Sequence, residues 1–287
     1  MIKGFRTLAA VLGVAGLAAA SDPGLAEARK LYNSTDFEQS LKVLQAILPK
    51  DGAVYELMGR DYYMQTDYRR ATDALEKAVA MEPTNAEFNL WLGRAWGRRA
   101  ETSGPFTAPG CASRARQWFE RAVQLSPDDL DALSDLFEYY LDAPGFLGGG
   151  QDKAENIALR MTRISPADGQ WAQAKLAEKR KQSRSAEAHL RKAVELAPQQ
   201  VGKLIELARF LTKQGRYAEA DQSFDRAEQV APNSPRVVFA RASTYVESHH
   251  NLETAQQLLK RYMNMDLQAD DPPKSEAAKL LRAAHGG

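Results

Sequence analysis

Cysteine is nearly absent from this chain of 287 residues, in which Cys111 stands alone. No internal disulfide can form, so the fold must be held together by packing. An excess of charge of one sign is also lacking, because 38 Lys and Arg stand against 37 Asp and Glu. Binding to nucleic acid or anionic lipid relies on many uncompensated basic groups, so the composition excludes nucleic acid as a predicted partner.

Catalytic motifs are missing as well. The chain has neither H-E-x-x-H nor G-x-S-x-G, and Cys111 has no evident base partner. Gly145 to Gly150 have the spacing of half a phosphate loop, but Gln151 and Asp152 follow where Lys and Ser or Thr are required. The four histidines, two of them adjacent in a turn, form no metal-ligand pattern: His189, His249, His250 and His285. We therefore expect no catalytic, cofactor-binding or metal-binding residues, and no enzyme.

Long apolar runs are limited to the first twenty residues. Lys3 and Arg6 precede an apolar stretch from Leu8 to Leu17 that ends in Ala18-Ala19-Ala20. This is the pattern of a secretory signal peptide over residues 1–20. An uncleaved anchor is the alternative, but the stretch is shorter than the roughly 20 residues that span a bilayer as a helix. The pattern predicts a periplasmic or secreted protein, from a Gram-negative bacterium, with no stable membrane insertion after cleavage.

The rest of the chain repeats a pattern with a period of about 34 residues. Residues 52–85 and 201–234 carry apolar and small residues at matching positions and end in proline. The first set is Tyr55, Met58, Gly59, Tyr62, Tyr68, Ala71, Leu75, Ala78 and Pro83, and the second is Leu204, Leu207, Ala208, Leu211, Gly215, Tyr217, Ala220, Phe224, Ala227 and Pro232. These spacings place one apolar face on each of two successive helices, and the small residues allow the two helices to approach closely. Neither helix can bury its apolar face alone, so neighbouring pairs must stack.

Two insertions interrupt the period between the helices of neighbouring units. The first covers residues 101–113 and the second residues 143–150, and both are rich in turn-forming residues. We expect them to be loops that lie side by side on one edge of the stack, where insertions often carry binding. Phe146 and Leu147 at the tip of the second insertion are candidate anchors for a partner, or else fold back onto the stack.

This pattern resembles the tetratricopeptide repeat family over the whole chain after the signal. The resemblance implies an all-α, right-handed superhelix of about seven antiparallel helix pairs, with a concave groove that binds proteins or peptides. We divide the chain at 22–51, 52–85, 86–129, 130–168, 169–200, 201–234 and 235–266, with a capping helix at 272–285. The register of the first helix near Trp171 is ambiguous from the sequence.

In this family, positions 5, 9, 12 and 13 of each first helix face the groove. These positions supply the candidate partner-binding residues Arg29, Tyr32, Arg60, Tyr63, Arg94 and Arg98, to which Phe146 and Leu147 are added. A row of arginines is suited to carboxylates, so we expect an acidic or carboxylate-bearing protein segment as the partner. The alternative is a solvated face on which arginines pair with acids of neighbouring units, each pair contributing less than about 1 kcal/mol. The fourth unit reverses the sign with Asp135, Glu138 and Asp142.

Two classes of function follow. The favoured one is a non-enzymatic exported scaffold or adaptor acting in envelope assembly, secretion or polysaccharide export. The other is a repeat-type enzyme, or a regulator of one, that acts on cell-wall glycan. The insertions disfavour the second because Glu101 is the only carboxylate within them, so a paired acid and base are missing. Self-association through the ends of the stack is a further hypothesis.

Overall fold

The computed structural model describes residues 22–269 and 271–285, and the predicted signal peptide lies outside these residues. The described residues form fifteen α-helices and no strand. The helices are α1 (Pro23–Asn33), α2 (Phe37–Ala46), α3 (Gly52–Met64), α4 (Tyr68–Met81), α5 (Ala86–Glu101), α6 (Ala108–Leu125), α7 (Leu130–Asp142), α8 (Gln151–Ile164), α9 (Pro166–Lys179), α10 (Ser183–Leu196), α11 (Val201–Lys213), α12 (Tyr217–Val230), α13 (Pro235–Glu247), α14 (Leu252–Met263) and α15 (Lys274–His285).

The helices pack in seven consecutive pairs, from α1 with α2 to α13 with α14, and each pair also contacts the next. α15 packs on α14 and α13 and covers the end of the stack. The core runs along the stack, and its first section extends without a break from Leu25 on α1 to Leu176 on α9. The predicted all-α solenoid of seven pairs with a capping helix is confirmed.

Glycine at the eighth position of a unit makes room for a large side chain of the second helix. A Cβ built on Gly93 of α5 would lie 2.6 Å from Cδ1 of Phe119 on α6, and one on Gly59 of α3 would overlap Cγ of Leu75 on α4. Leu75 is fully buried, and Phe119 nearly so. The small residues expected from the repeat pattern therefore set the separation of the paired helices.

Acidic and amide side chains cap the amino-terminal ends of several helices. Asp51 accepts a hydrogen bond from the Val54 amide at 2.9 Å, and Asp67 accepts one from the Arg70 amide at 3.0 Å. Such caps satisfy amide groups that have no partner within the first helical turn.

The first insertion is largely helical, which differs from the loop expected over residues 101–113. α5 continues to Glu101 and α6 begins at Ala108, so only residues 102–107 connect them. Pro109 lies in the first turn of α6, where its missing amide hydrogen costs no helical hydrogen bond. The extra residues therefore lengthen the α5–α6 hairpin rather than forming a long loop.

The structure defines the start of α9 and the register of Trp171 within it. α9 begins at Pro166, earlier than the unit start drawn at 169, because Ser165 caps it. Trp171 lies in the middle of α9 with its ring 5.6 Å from that of Phe137 on α7, which settles its register.

The two ends of the stack are neighbours. Between α14 and α15, Ala269 packs against the core section that includes α1. The same loop and the α1–α2 turn border a shallow depression lined by residues such as Asn33, Thr35, Asp266 and Gln268.

Candidate functional site

The first helices of neighbouring units form one surface, which we call the groove. It contains two clefts. The first cleft, of about 380 Å³, lies between α5, α6 and α7 and is lined by residues that include Tyr63, Gly97, Arg98, Phe119, Glu138 and Tyr139. The second cleft, of about 700 Å³, lies between α9, α11 and α13 and is lined by residues that include Lys175, Glu178, Glu206, Arg209, Lys213 and Glu247.

Arg60 on α3 is held between aromatic rings and carboxylates. Its guanidinium carbon lies 4.8 Å from the centre of the Tyr32 ring and 4.5 Å from that of Trp91. Its Nη1 atom lies 3.2 Å from a carboxylate oxygen of Glu56 and 3.3 Å from one of Glu87. The charge of Arg60 is therefore already compensated within the chain.

Arg94 on α5 is paired in the same way with the next unit. Its Nε atom donates to Oδ2 of Asp135 at 2.5 Å, and its Nη2 atom lies 3.7 Å from Asp131. Its guanidinium also lies 5.0 Å from the centre of the Trp91 ring. The arginine row thus forms ion pairs within and between units, and these pairs are half-buried rather than fully solvated.

The structure corrects the expectation for Tyr32, which is only 2% exposed. Its ring packs edge-on against Phe37 at 5.4 Å, and its hydroxyl accepts a hydrogen bond from Arg60 at 3.3 Å. Arg60 covers the side of the ring that would otherwise face the groove. Tyr32 is therefore a core residue that supports Arg60 and cannot contact a partner directly.

The remaining groove candidates are accessible to different degrees. Arg29 is exposed on α1. Arg98 has a side chain that is 48% exposed; it donates to the Tyr68 hydroxyl at 3.4 Å and pairs with Glu101. Tyr63 is half-buried, and burial raises the pKa of its hydroxyl to about 12. Arg98 and Tyr63 both line the first cleft.

The second insertion exposes Phe146 on a corner, residues 143–150, that hydrogen bonds to α7 hold in place. Phe146 is 81% exposed, whereas Leu147 is half-buried. The Tyr139 hydroxyl donates to the Leu147 carbonyl at 2.9 Å, and the Gly150 amide donates to the Tyr140 carbonyl at 2.8 Å. The corner contacts α6, and residues of both insertions, Glu101, Ala112 and Ala143, line the first cleft.

Aromatic residues beyond the predicted site residues also lie in the groove or are exposed on the insertions. Trp91 lies between Arg60 and Arg94, Phe119 and Tyr139 line the first cleft, and Phe106 at the tip of the first insertion is 99% exposed. Trp91 stands outside the four groove positions of the repeat, and Phe119 has the spacing of a core residue. Phe106 could have been noticed as an aromatic residue within a polar insertion.

Residues 22–269 and 271–285 contain no group of three or more His, Cys, Asp or Glu side chains placed to hold a metal ion. None of the helices in these residues is long and apolar enough to span a membrane.

Known families and structures agree with this architecture. Two tetratricopeptide repeat models match the sequence, one at residues 56–129 and one at residues 177–243. A tetratricopeptide repeat protein from Parabacteroides merdae superimposes with a TM-score of 0.55 at 13% identity, covering 91% of this chain and 97% of the other. A thermophilic tetratricopeptide repeat protein of Thermus thermophilus superimposes with a TM-score of 0.51 at 19% identity, covering 69% of this chain and 97% of the other. No protein with a curated description matches the sequence. From its repeat pattern, its paired helices and these matches, the chain belongs to the tetratricopeptide repeat family.

Proposed function

We propose that this protein is a non-enzymatic, exported scaffold that binds a segment of another protein in the groove, with the first cleft as the main contact. Stacked helix pairs present an extended surface of the kind that repeat proteins use for binding. The observation that carries the proposal is the composition of the first cleft, where Tyr63, Phe119 and Tyr139 lie beside the half-exposed Arg98. Aromatic residues and arginine concentrate binding energy at interfaces.

The proposed place of action is the periplasm of a Gram-negative bacterium, in envelope assembly, secretion or polysaccharide export. Support for export comes from the signal pattern over residues 1–20. The preference for an acidic partner is supported by Arg29 alone, because Arg60, Arg94 and Arg98 already have carboxylate partners.

Gly97 allows the first cleft to be filled without disturbing the core. It lines the cleft, and a Cβ built on it would meet no atom within 4 Å. Gly97→Tyr should therefore fold normally, since glycine inside a helix is less favourable than most residues by up to about 1 kcal/mol. Gly110→Tyr is the matched control, because Gly110 lies in the adjacent α6, has equally open surroundings and does not line the cleft.

The binding probe is a set of peptides, selected from a random displayed library for binding to the wild-type protein. We expect Gly97→Tyr to weaken their binding at least tenfold, measured by fluorescence anisotropy, and Gly110→Tyr to leave it unchanged. Equal affinities for wild type and both variants would contradict binding in the first cleft.

A further inference from the structure

Glu138 on α7 has no ion pair or hydrogen bond within the part of the chain that the structure describes, although carboxylates on either side of it do. Asp135, one turn before, accepts from Arg94 at 2.5 Å. Asp142, one turn after, accepts from Nζ of Lys179 at 2.9 Å. Glu138 points into the first cleft, which Asp135 and Asp142 also line.

The surroundings of Glu138 disfavour its negative charge. Glu138 is exposed to solvent at the cleft. Partial desolvation by the surrounding protein raises the pKa of its carboxyl group, and repulsion from the nearby carboxylates of Asp135, Glu206 and Asp142 acts in the same direction. Lys175 offsets this only in part, because its Nζ lies 2.6 Å from a carboxylate oxygen of Glu206. A cation brought in by a partner could pair with Glu138 without breaking an ion pair within the chain, and would favour its charged form.

Part of the lining of the first cleft is apolar. Phe119 and Ala115 on α6 line it together with Tyr139 and Ala143. Arg98 also borders the cleft, but it forms an ion pair with Glu101 and donates a hydrogen bond to the Tyr68 hydroxyl. The cleft thus combines one uncompensated carboxylate with an apolar surface, and its volume of about 380 Å³ is in the range of about 300–1,000 Å³ that is typical of ligand pockets.

We infer that the first cleft recognises a protein segment in which a lysine or arginine lies next to a large apolar side chain. The basic group pairs with Glu138, and the apolar side chain packs on Phe119 and Tyr139. This inference rests on the proposed function and gives the partner a chemistry opposite to that expected from the arginine row. The reason is charge complementarity: Arg60 and Arg94 are paired within the chain, whereas Glu138 is not.

The library-selected peptides also test this inference. We expect enrichment of a Lys or Arg beside an apolar residue, and at least tenfold weaker binding to Glu138→Gln, because charge-assisted hydrogen bonds are among the strong ones. Glu253→Gln is the matched control, since Glu253 is exposed on α14, lines neither cleft and should leave affinity unchanged. Replacing the basic residue of the peptide by methionine should weaken binding to wild type but add little further loss with Glu138→Gln.

The alternative outcomes separate the two proposals. Peptides rich in Asp and Glu that lose affinity with Arg98→Met, but not with Glu138→Gln, would overturn the inference and support an acidic partner. Peptides that are sensitive to Gly97→Tyr but show no charge preference would also overturn the inference and leave the proposed function standing. A library that yields no binders, or only binders insensitive to Gly97→Tyr, would contradict both. Thermal unfolding of each variant verifies that it is folded.

Discussion

Replacing Gly59 by alanine is expected to lower the free energy of unfolding by about 1–3 kcal/mol, the usual cost of overpacking a core. The added Cβ would overlap Cγ of the fully buried Leu75, and this branched carbon lies too close to its own backbone to move aside cheaply. Gly97→Ala is the matched control, because it makes the same change in a helix with open space around it. The control should be neutral or stabilising by up to about 1 kcal/mol.

A double-mutant cycle tests whether Leu75 is the cause. Leu75→Ala alone should cost about 2–5 kcal/mol through lost burial and a cavity. In the double variant, the methyl group added by Gly59→Ala occupies part of that cavity without a clash. The combined loss should therefore fall short of the sum of the single losses by at least about 1 kcal/mol, measured by urea unfolding. Strict additivity would show that contact with Leu75 does not explain the glycine.

The stability of the first two units should depend on pH through Asp61. Asp61 is fully buried on α3; its Oδ2 accepts a hydrogen bond from the Ser40 hydroxyl at 2.7 Å, whereas its Oδ1 has no partner. Burial raises the pKa of Asp61 to about 8, and the Ser40 hydrogen bond and Arg60 only partly oppose this. The folded protein therefore keeps a proton on Asp61 at pH values where the unfolded chain has lost it.

The sign of the effect follows from that proton. The folded state binds more protons between the unfolded pKa, near 4, and the folded pKa of about 8, so stability falls as pH rises through this range and is constant above it. Asp61→Asn removes this contribution. The free energy of unfolding of the variant, relative to wild type, should increase by about 2–5 kcal/mol between pH 4 and pH 9, since one pKa unit corresponds to 1.36 kcal/mol.

Urea unfolding of both proteins at the two pH values measures this difference. Asp73→Asn, an exposed aspartate of α4, is the matched control and should follow the wild-type profile. Burial raises the pKa of Glu56 to about 7. Glu56 is present in all three proteins, and its contribution to the pH dependence of stability has the same sign as that of Asp61. A difference between Asp61→Asn and wild type that stays constant with pH would contradict the account.

Features that depend on the repeat itself could be predicted from the sequence. The spacing of apolar residues predicted the helix pairs, and the small residue at the eighth position predicted the tight contact that Gly59 makes with α4. The insertions were located correctly because they lengthen the period. The internal structure of the first insertion was not predicted, since a Gly- and Pro-containing segment such as residues 108–113 can still begin a helix when proline lies in its first turn.

Features that depend on contacts between units could be raised as alternatives from the sequence, but the sequence could not decide between them. Arg60 and Arg94 have the right position and residue type for a binding row, but their acidic partners Glu87 and Asp135 lie on the following first helices. The pairing becomes visible only when the units are stacked. The same holds for Tyr32, which Arg60 of the next unit covers.

The central claim is that a partner segment lies in the groove and contacts the first cleft. Hydrogen exchange of the wild-type protein, with and without a library-selected peptide, tests it most directly. We expect slower exchange in α5 and α7, the first helices that border the first cleft, and little change in α4 and α10, which border neither cleft. Slower exchange confined to second helices such as α4 and α10, or to the ends of the stack, with α5 and α7 unchanged, would contradict it.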